Sequence, residues 1–399
     1  MAQRLVFLFT NELNGDDPEK YGIGPLSRMG FEVEVWILYP LLRRKPHGNQ
    51  KRGTWRLFEQ WGDLKKALDG LDPQNCLLVD FFMGLSALSY PSERFYRWIK
   101  KRGLRYVVPA MAALPIGPKQ EENQPVAKQR SIGIFEKLRG QSWRRLRDMF
   151  SSRLIFWLRQ HSELYPLPLR VFSLRNELTQ YYQARTGFPS ELILPFHSME
   201  YDRFLAYKKA HPQGEAPDGT CVFLDEAFTH HPDYAVVYGH ERPGTEAYLA
   251  KMIRVFEQVE AQTGLRVVVA AHPRSRYDEL GDAFGGREVI QGKTQELVAR
   301  SSLVLAHVST SVSFAALFDK PLVFFWVEGA VPLTRYLYQH LNTELVDLEQ
   351  PGQLEAFDFK SFLTRPRNYQ DYINKYLKSD LAPPDLSCWE LVGPVLKEL

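Results

Sequence analysis

Short, strongly apolar runs recur along the chain, separated by polar turns or by stretches with helical periodicity. In the first half they are Leu5–Phe9, Val33–Leu38, Cys76–Asp80, Tyr106–Val108, Arg170–Ser173 and Leu192–Pro195. In the second half they are Cys221–Leu224, Val267–Ala271, Glu288–Ile290, Leu303–Ala306 and Leu322–Trp326. Runs that are apolar at every position, rather than alternating, belong to strands covered on both faces. Glu246–Thr263, Thr294–Ser301 and Ser311–Phe318 repeat their apolar residues at helical spacing. Strand alternating with helix predicts an α/β fold: two Rossmann-like domains, each a parallel sheet with helices on both sides. The polar stretch His211 to Gly219, with two prolines and two glycines, reads as the linker. The expected layout is one domain over 1–210, a second over 220–360, and a helical segment over 361–399 that packs back on the first. Two such halves would face a cleft at the carboxyl ends of their strands, where open α/β sheets bind ligands.

Length and composition fit this layout and narrow the function classes. The 399 residues suffice for two domains, and 44% hydrophobic with 24% charged residues excludes global disorder. Fifty Lys and Arg against 47 Asp and Glu leave a net charge of +3, not the surface of a dedicated nucleic-acid binder. The cysteines (Cys76, Cys221, Cys388) are odd in number and far apart, which argues against a disulfide framework and for a reducing compartment. The apolar start Leu5–Phe9 is too short for a secretion signal, and no 18-residue apolar run exists. The expected location is cytoplasmic, at most peripheral to a membrane. One segment breaks the charge balance: residues 126–160 hold nine Lys or Arg and two acids. There Trp143, Leu146, Phe150, Leu154 and Trp157 fall on one helical face. Such a helix suits an anionic membrane interface, and equally suits packing against the body of the protein.

The chemistry-bearing residues gather at predicted strand ends in the second half. Val267–Ala271 stops at His272-Pro273, followed by Arg274 and Arg276; the next strand ends in Gln291-Gly292 before Lys293-Thr294 opens a helix. Leu303–Ala306 leads through His307 to Ser309-Thr310-Ser311 and another helix. Hydroxyls beside the first, unpaired N–H groups of a helix would make an anion site. A second cluster, Asp225-Glu226 followed by Thr229, His230, His231 and Asp233, stands after the strand Cys221–Leu224. Adjacent acids at a strand end suit proton transfer, because repulsion and partial burial raise one pKa toward neutrality. No Walker A sequence, no Gly-x-Gly-x-x-Gly and no Asp-x-Asp occurs, which disfavours ATPase, dehydrogenase and metal-bridged diphosphate readings.

The His-Pro motif followed by the Ser/Thr cluster, on a twin-Rossmann scaffold, resembles the bacterial CMP-sugar-dependent glycosyltransferases of the GT-B type, including sialyltransferases and Kdo transferases. The resemblance covers about residues 220–330. It implies nucleotide binding by His272, Pro273, Arg274, Gln291, Gly292, Thr294, Ser309, Thr310 and Ser311. His272 would also stabilise the departing phosphate, Arg274 would assist or meet the sugar carboxylate, and Asp225 with Glu226 beside it would be the base or nucleophile. Some of these sialyltransferases carry an acidic pair followed by Gly in the first domain; here Ala227 follows and the pair is in the second, so inverting and retaining routes both stay open. Asp80, Asn11, His197 and His231 are candidates for the acceptor side. The implied activity is transfer of a 3-deoxy-ulosonic or nonulosonic acid (Kdo, pseudaminic, legionaminic or sialic type) from its CMP-activated donor. The acceptor would be a bacterial surface glycan, free or lipid-linked, with no cofactor and no metal, the phosphate being stabilised by protein groups. A UDP-sugar transferase or epimerase on the same fold, or a non-catalytic membrane-associated assembly factor, remains the alternative.

Overall fold

A computed structural model describes residues 4–10, 13, 17–42, 55–81, 90–110, 115, 166–175, 177, 179–180, 183, 187–229, 244–273, 275, 277, 282–331 and 333–399. The basic stretch 126–160 lies outside the described residues, as do Asn11, His231 and Arg274. Two compact units emerge. Of the described residues, 4–110, 166–202 and 378–399 form the first, and 203–377 form the second.

The first unit is built on β1 (Arg4–Phe9), β2 (Glu32–Ile37), β3 (Arg56–Leu57), β4 (Cys76–Phe81), β5 (Arg105–Ala110), β6 (Arg170–Ser173) and β7 (Ile193–Pro195). They form one sheet in the order β3-β2-β1-β4-β5-β6-β7, all pairs parallel. Side chains alternate across a strand, so one strand feeds two cores. Val6 and Leu8 of β1 join Trp36, Leu78 and Tyr106 on one face. Leu5, Phe7 and Phe9 join Leu26, Phe172 and Phe196 on the other. That double burial is why the run is apolar at every position.

The second unit repeats the plan with β8 (Thr220–Leu224), β9 (Arg266–Ala271), β10 (Glu288–Gln291), β11 (Leu303–Ala306), β12 (Leu322–Trp326) and β13 (Glu344–Asp347). Its parallel order is β10-β9-β8-β11-β12-β13. Val267 and Val269 pack with Phe223 and Phe256 on one side, while Val268 and Ala270 pack with Leu224 and Phe314 on the other. The strand order reverses direction beside β8, which places the crevice at the carboxyl ends of β8 and β11.

The division between units falls earlier than the stretch 211–219. It lies between Asp202 and Arg203, inside the helix Met199–Ala210. The carbonyl of Arg203 accepts the Gln295 side-chain amide, and Phe204 and Tyr207 meet Phe318 edge-on, so residues from 203 belong to the second unit. The segment 361–399 also divides. Phe359–Phe362, Gln370–Tyr372 and Ile373–Leu377 stay with the second unit. The helix Cys388–Glu398, opened by a Ser387–Glu390 capping box, buries Cys388, Trp389, Val392 and Leu396 in the first.

Candidate functional site

Because the second sheet is wholly parallel, the strand exits line up along one edge. Leu224 of β8 pairs with Ala270 of β9 and with Ala306 of β11, and Ala271 of β9 pairs with Gln291 of β10. Adjacent strands are about 4.8 Å apart, so the exits of β10, β9, β8 and β11 span roughly 15 Å, the length of a nucleotide. Gln291-Gly292, His272, Asp225-Glu226 and Ser309–Ser311 therefore share one edge.

Asp225 follows the last residue of β8. Its side chain is buried, 4% exposed, and one carboxylate oxygen accepts the Ala227 amide (3.0 Å) and the Tyr277 hydroxyl (2.7 Å). The other accepts the His272 amide at 3.2 Å, and the Glu226 amide adds a further hydrogen bond. A carboxylate has about four lone-pair sites. With these committed, Asp225 braces three chain segments. Burial pushes its pKa up to about 6, against the pull of the hydrogen bonds. Glu226 is also buried, 7% exposed.

His272 leaves β9 half-buried, followed by an exposed Pro273. Its carbonyl accepts the Ser275 amide (2.9 Å), the Ser275 hydroxyl (2.7 Å) and the side-chain amide of Gln291 (2.9 Å). The Gln291 side chain thus braces the β9 exit. Gly292 turns with φ +81° into the helix Thr294–Arg300, a conformation an L side chain adopts only with strain. Thr294 is half-buried at the start of that helix.

The expectation of unpaired amides is corrected at the helix after β11, Val312–Leu317. Its opening amides are not unpaired. Ser311 N–H donates to the Ser309 hydroxyl (3.1 Å), Val312 to the Ser309 carbonyl (3.3 Å), Ser313 to Thr310 (3.2 Å) and Phe314 to Ser311 (3.0 Å). A Ser side chain placed two residues before the helix turns its own hydroxyl on the backbone, and tight i to i+3 bonds do the rest. What this turn offers outward is hydroxyl chemistry: Thr310 is exposed and Ser309 and Ser311 are half-buried. Beneath them His307 is fully buried. It is bonded through Nδ1 to the Phe325 carbonyl (2.8 Å) and through Nε2 to the Tyr248 hydroxyl (3.1 Å), among the rings of Phe223 and Phe228. Burial drops its pKa to about 4, so it is a neutral pillar under the turn.

Of the acceptor-side candidates, Asp80 and His197 lie among the described residues, and both are buried. Asp80, at the end of β4, is 1% exposed and accepts the Tyr96 hydroxyl at 2.5 Å. His197 is fully buried; Nδ1 accepts the Ser379 amide (3.0 Å) and Nε2 meets the Pro383 carbonyl (3.0 Å). It fastens the returning segment to its unit, work that no sequence signal near His197 announces. Among the described residues, no group of three or more His, Cys, Asp or Glu converges as metal ligands, and no helix is long and apolar enough to cross a membrane.

Two parallel Rossmann-like sheets in one chain are the architecture of the GT-B fold, and solved structures of that fold superpose on the full length. The UDP-GlcNAc 2-epimerase of Methanocaldococcus jannaschii, in complex with UDP-GlcNAc and UDP, matches 100% of this chain and 100% of its own, with TM-score 0.50 and 11% identity. The wall teichoic acid polymerase TagF (H548A) matches over 99% of this chain and 88% of its own, with TM-score 0.52 and 11% identity. The glycotransferase of kitacinnamycin covers 100% and 99%, with TM-score 0.53 and 12% identity. No protein-family model and no curated protein sequence matches the chain. The likeness is of fold: the chain has the GT-B fold.

Proposed function

We propose that the protein is a nucleotide-sugar-dependent glycosyltransferase whose nucleotide seats on the carboxyl edge of β8–β11. The observation that carries the reading is the meeting of His272, Gly292 and the Thr310 and Ser311 hydroxyls at that edge, on a fold shared with an epimerase solved with UDP-GlcNAc and UDP. An imidazole, a glycine that lets backbone approach, and exposed hydroxyls suit a phosphate ester, and Arg274 follows His272 in sequence. The teichoic acid polymerase and the kitacinnamycin glycotransferase support transfer, and the epimerase supports a UDP-sugar as donor. Glu226, beside Asp225 at the exit of β8, is the proposed carboxylate for proton transfer. The reaction is proposed to need neither metal nor other cofactor, so turnover should survive EDTA.

The second reading, a CMP-activated 3-deoxy-ulosonic or nonulosonic acid as donor, rests on His272-Pro273 and Ser309–Ser311 sharing that edge. Arg274 would then meet the sugar carboxylate. A thermal-shift panel of UDP, CMP, CDP and GDP separates the readings. The largest shift with UDP supports the first and the largest with CMP the second. No shift with any nucleotide overturns both and leaves a non-catalytic assembly role. In either reading the acceptor is a surface glycan, free or lipid-linked, reached at the inner membrane face through the basic stretch 126–160. Flotation with anionic but not neutral liposomes is expected; equal recovery would remove that contact.

A further inference from the structure

Asp225 joins chain segments that reach the site from different strands. The amides of Glu226 and Ala227 come from the exit of β8, the amide of His272 from the exit of β9, and the Tyr277 hydroxyl from the chain beyond. Ala227 sits at φ +53°, a left-handed conformation that an alanine holds only under constraint. The Asp225 carboxylate supplies that constraint by accepting the Ala227 amide. Through the His272 amide it also sets how the chain leaves β9, and so where the imidazole stands. Gln291 steadies the same residue from the other side through its carbonyl.

We propose that Asp225 is a positioning residue: by clamping the β8 and β9 exits together it holds His272 in the orientation that meets a nucleotide phosphate. This rests on the nucleotide reading of the same site. The titratable groups beside Asp225 are Tyr277 and Glu226, while His307 on the next strand is neutral above about pH 4. Protonating Asp225, whose pKa is about 6, turns one acceptor into a donor and releases at least one clamped group.

The test is the UDP dissociation constant of the wild type, Asp225→Asn and Tyr277→Phe by calorimetry, from pH 8 to pH 5, with Tm in parallel. CMP replaces UDP if it gives the larger thermal shift. Asp225→Asn is expected to weaken binding about tenfold at pH 8, the loss of one charge-assisted hydrogen bond. The ratio of variant to wild-type constants is expected to fall to about twofold at pH 5, where the wild type has lost the same interaction. Taking the ratio cancels the titration of the free nucleotide. Tyr277→Phe, the milder change should the Asn variant not fold, is expected to weaken binding about threefold at pH 8. A ratio constant across the pH range, or unaltered affinity in the variants that fold, overturns the clamp. A wild type that binds none of the nucleotides overturns the nucleotide reading and the clamp with it.

Discussion

Gly22 and Trp389 show how tightly single residues are fitted. Gly22 has φ +85°, and a Cβ added there would fall 2.2 Å from Cδ2 of the Trp389 indole, which is 2% exposed and donates its N–H to the Lys20 carbonyl. Gly22→Ala therefore combines left-handed strain with overpacking, together about 3 kcal/mol of lost stability. Gly30→Ala is the control: its φ is +92° but nothing lies within 4 Å, so only the strain of about 1 kcal/mol remains. Chemical denaturation should rank the variants in that order; equal losses would mean the indole yields. His307 gives a pH signature. Its folded pKa, about 4, lies below the ordinary 6.5, so the folded protein binds fewer protons than the unfolded chain. The stability this contributes is present above pH 6.5 and is lost as pH falls toward 4, by about 3 kcal/mol. Wild-type Tm should fall more steeply over that window than that of His307→Asn; parallel slopes would place the imidazole in water.

Elements explain what the sequence made legible. Strands with buried apolar side chains announce themselves as apolar runs, and the predicted runs coincide with β1, β2 and β4–β12, of which β10 alone is largely exposed. Strand β3 has two exposed residues, Arg56-Leu57, and β13 starts at an exposed Glu344, so neither carries that signal. Roles set by distant partners were illegible too. Asp225 is a brace because His272 and Tyr277 lie 47 and 52 residues away, and His197 because Ser379 and Pro383 lie 182 and 186 away. Residues 197–202 and 379–388 are in fact one knot. Besides the His197 bonds, Tyr201 donates to the Pro384 carbonyl (3.1 Å) and the Cys388 amide donates to Asp202 (2.7 Å). Burial, with Glu390 and Glu200 nearby, lifts Asp202 to about 7. A raised carboxylate pKa means that the folded protein binds the extra proton, so this charge costs stability at pH 8 and the cost fades as pH falls through 7 toward 3.8. Asp202→Asn, which keeps an oxygen for the Cys388 amide, should raise Tm at pH 8 and match the wild type at pH 5. A lower Tm at pH 8 would show that the carboxylate is worth more as an acceptor than it costs as a charge.

At the scale of the molecule, the returning segment assigns separate tasks to the two units. The buried face of Cys388–Glu398 packs with Leu5, Phe7, Leu26 and Phe196, all of the first unit, whereas the cores of the second unit draw only on residues between Cys221 and Leu377. Burying side chains such as Trp389, Val392 and Leu396 contributes about 2 kcal/mol each. Ending the chain after Leu377 should therefore unfold or loosen the first sheet and spare the second. Hydrogen exchange is expected to show lost protection in β1, β2 and β4, with β8, β9 and β11 still protected. UDP at one hundred times its dissociation constant should still add about 2.7 kcal/mol to the second unit, if the strand exits of that sheet hold the nucleotide by themselves. Protected strands with no response to UDP would mean that residues outside 203–377 complete the nucleotide site.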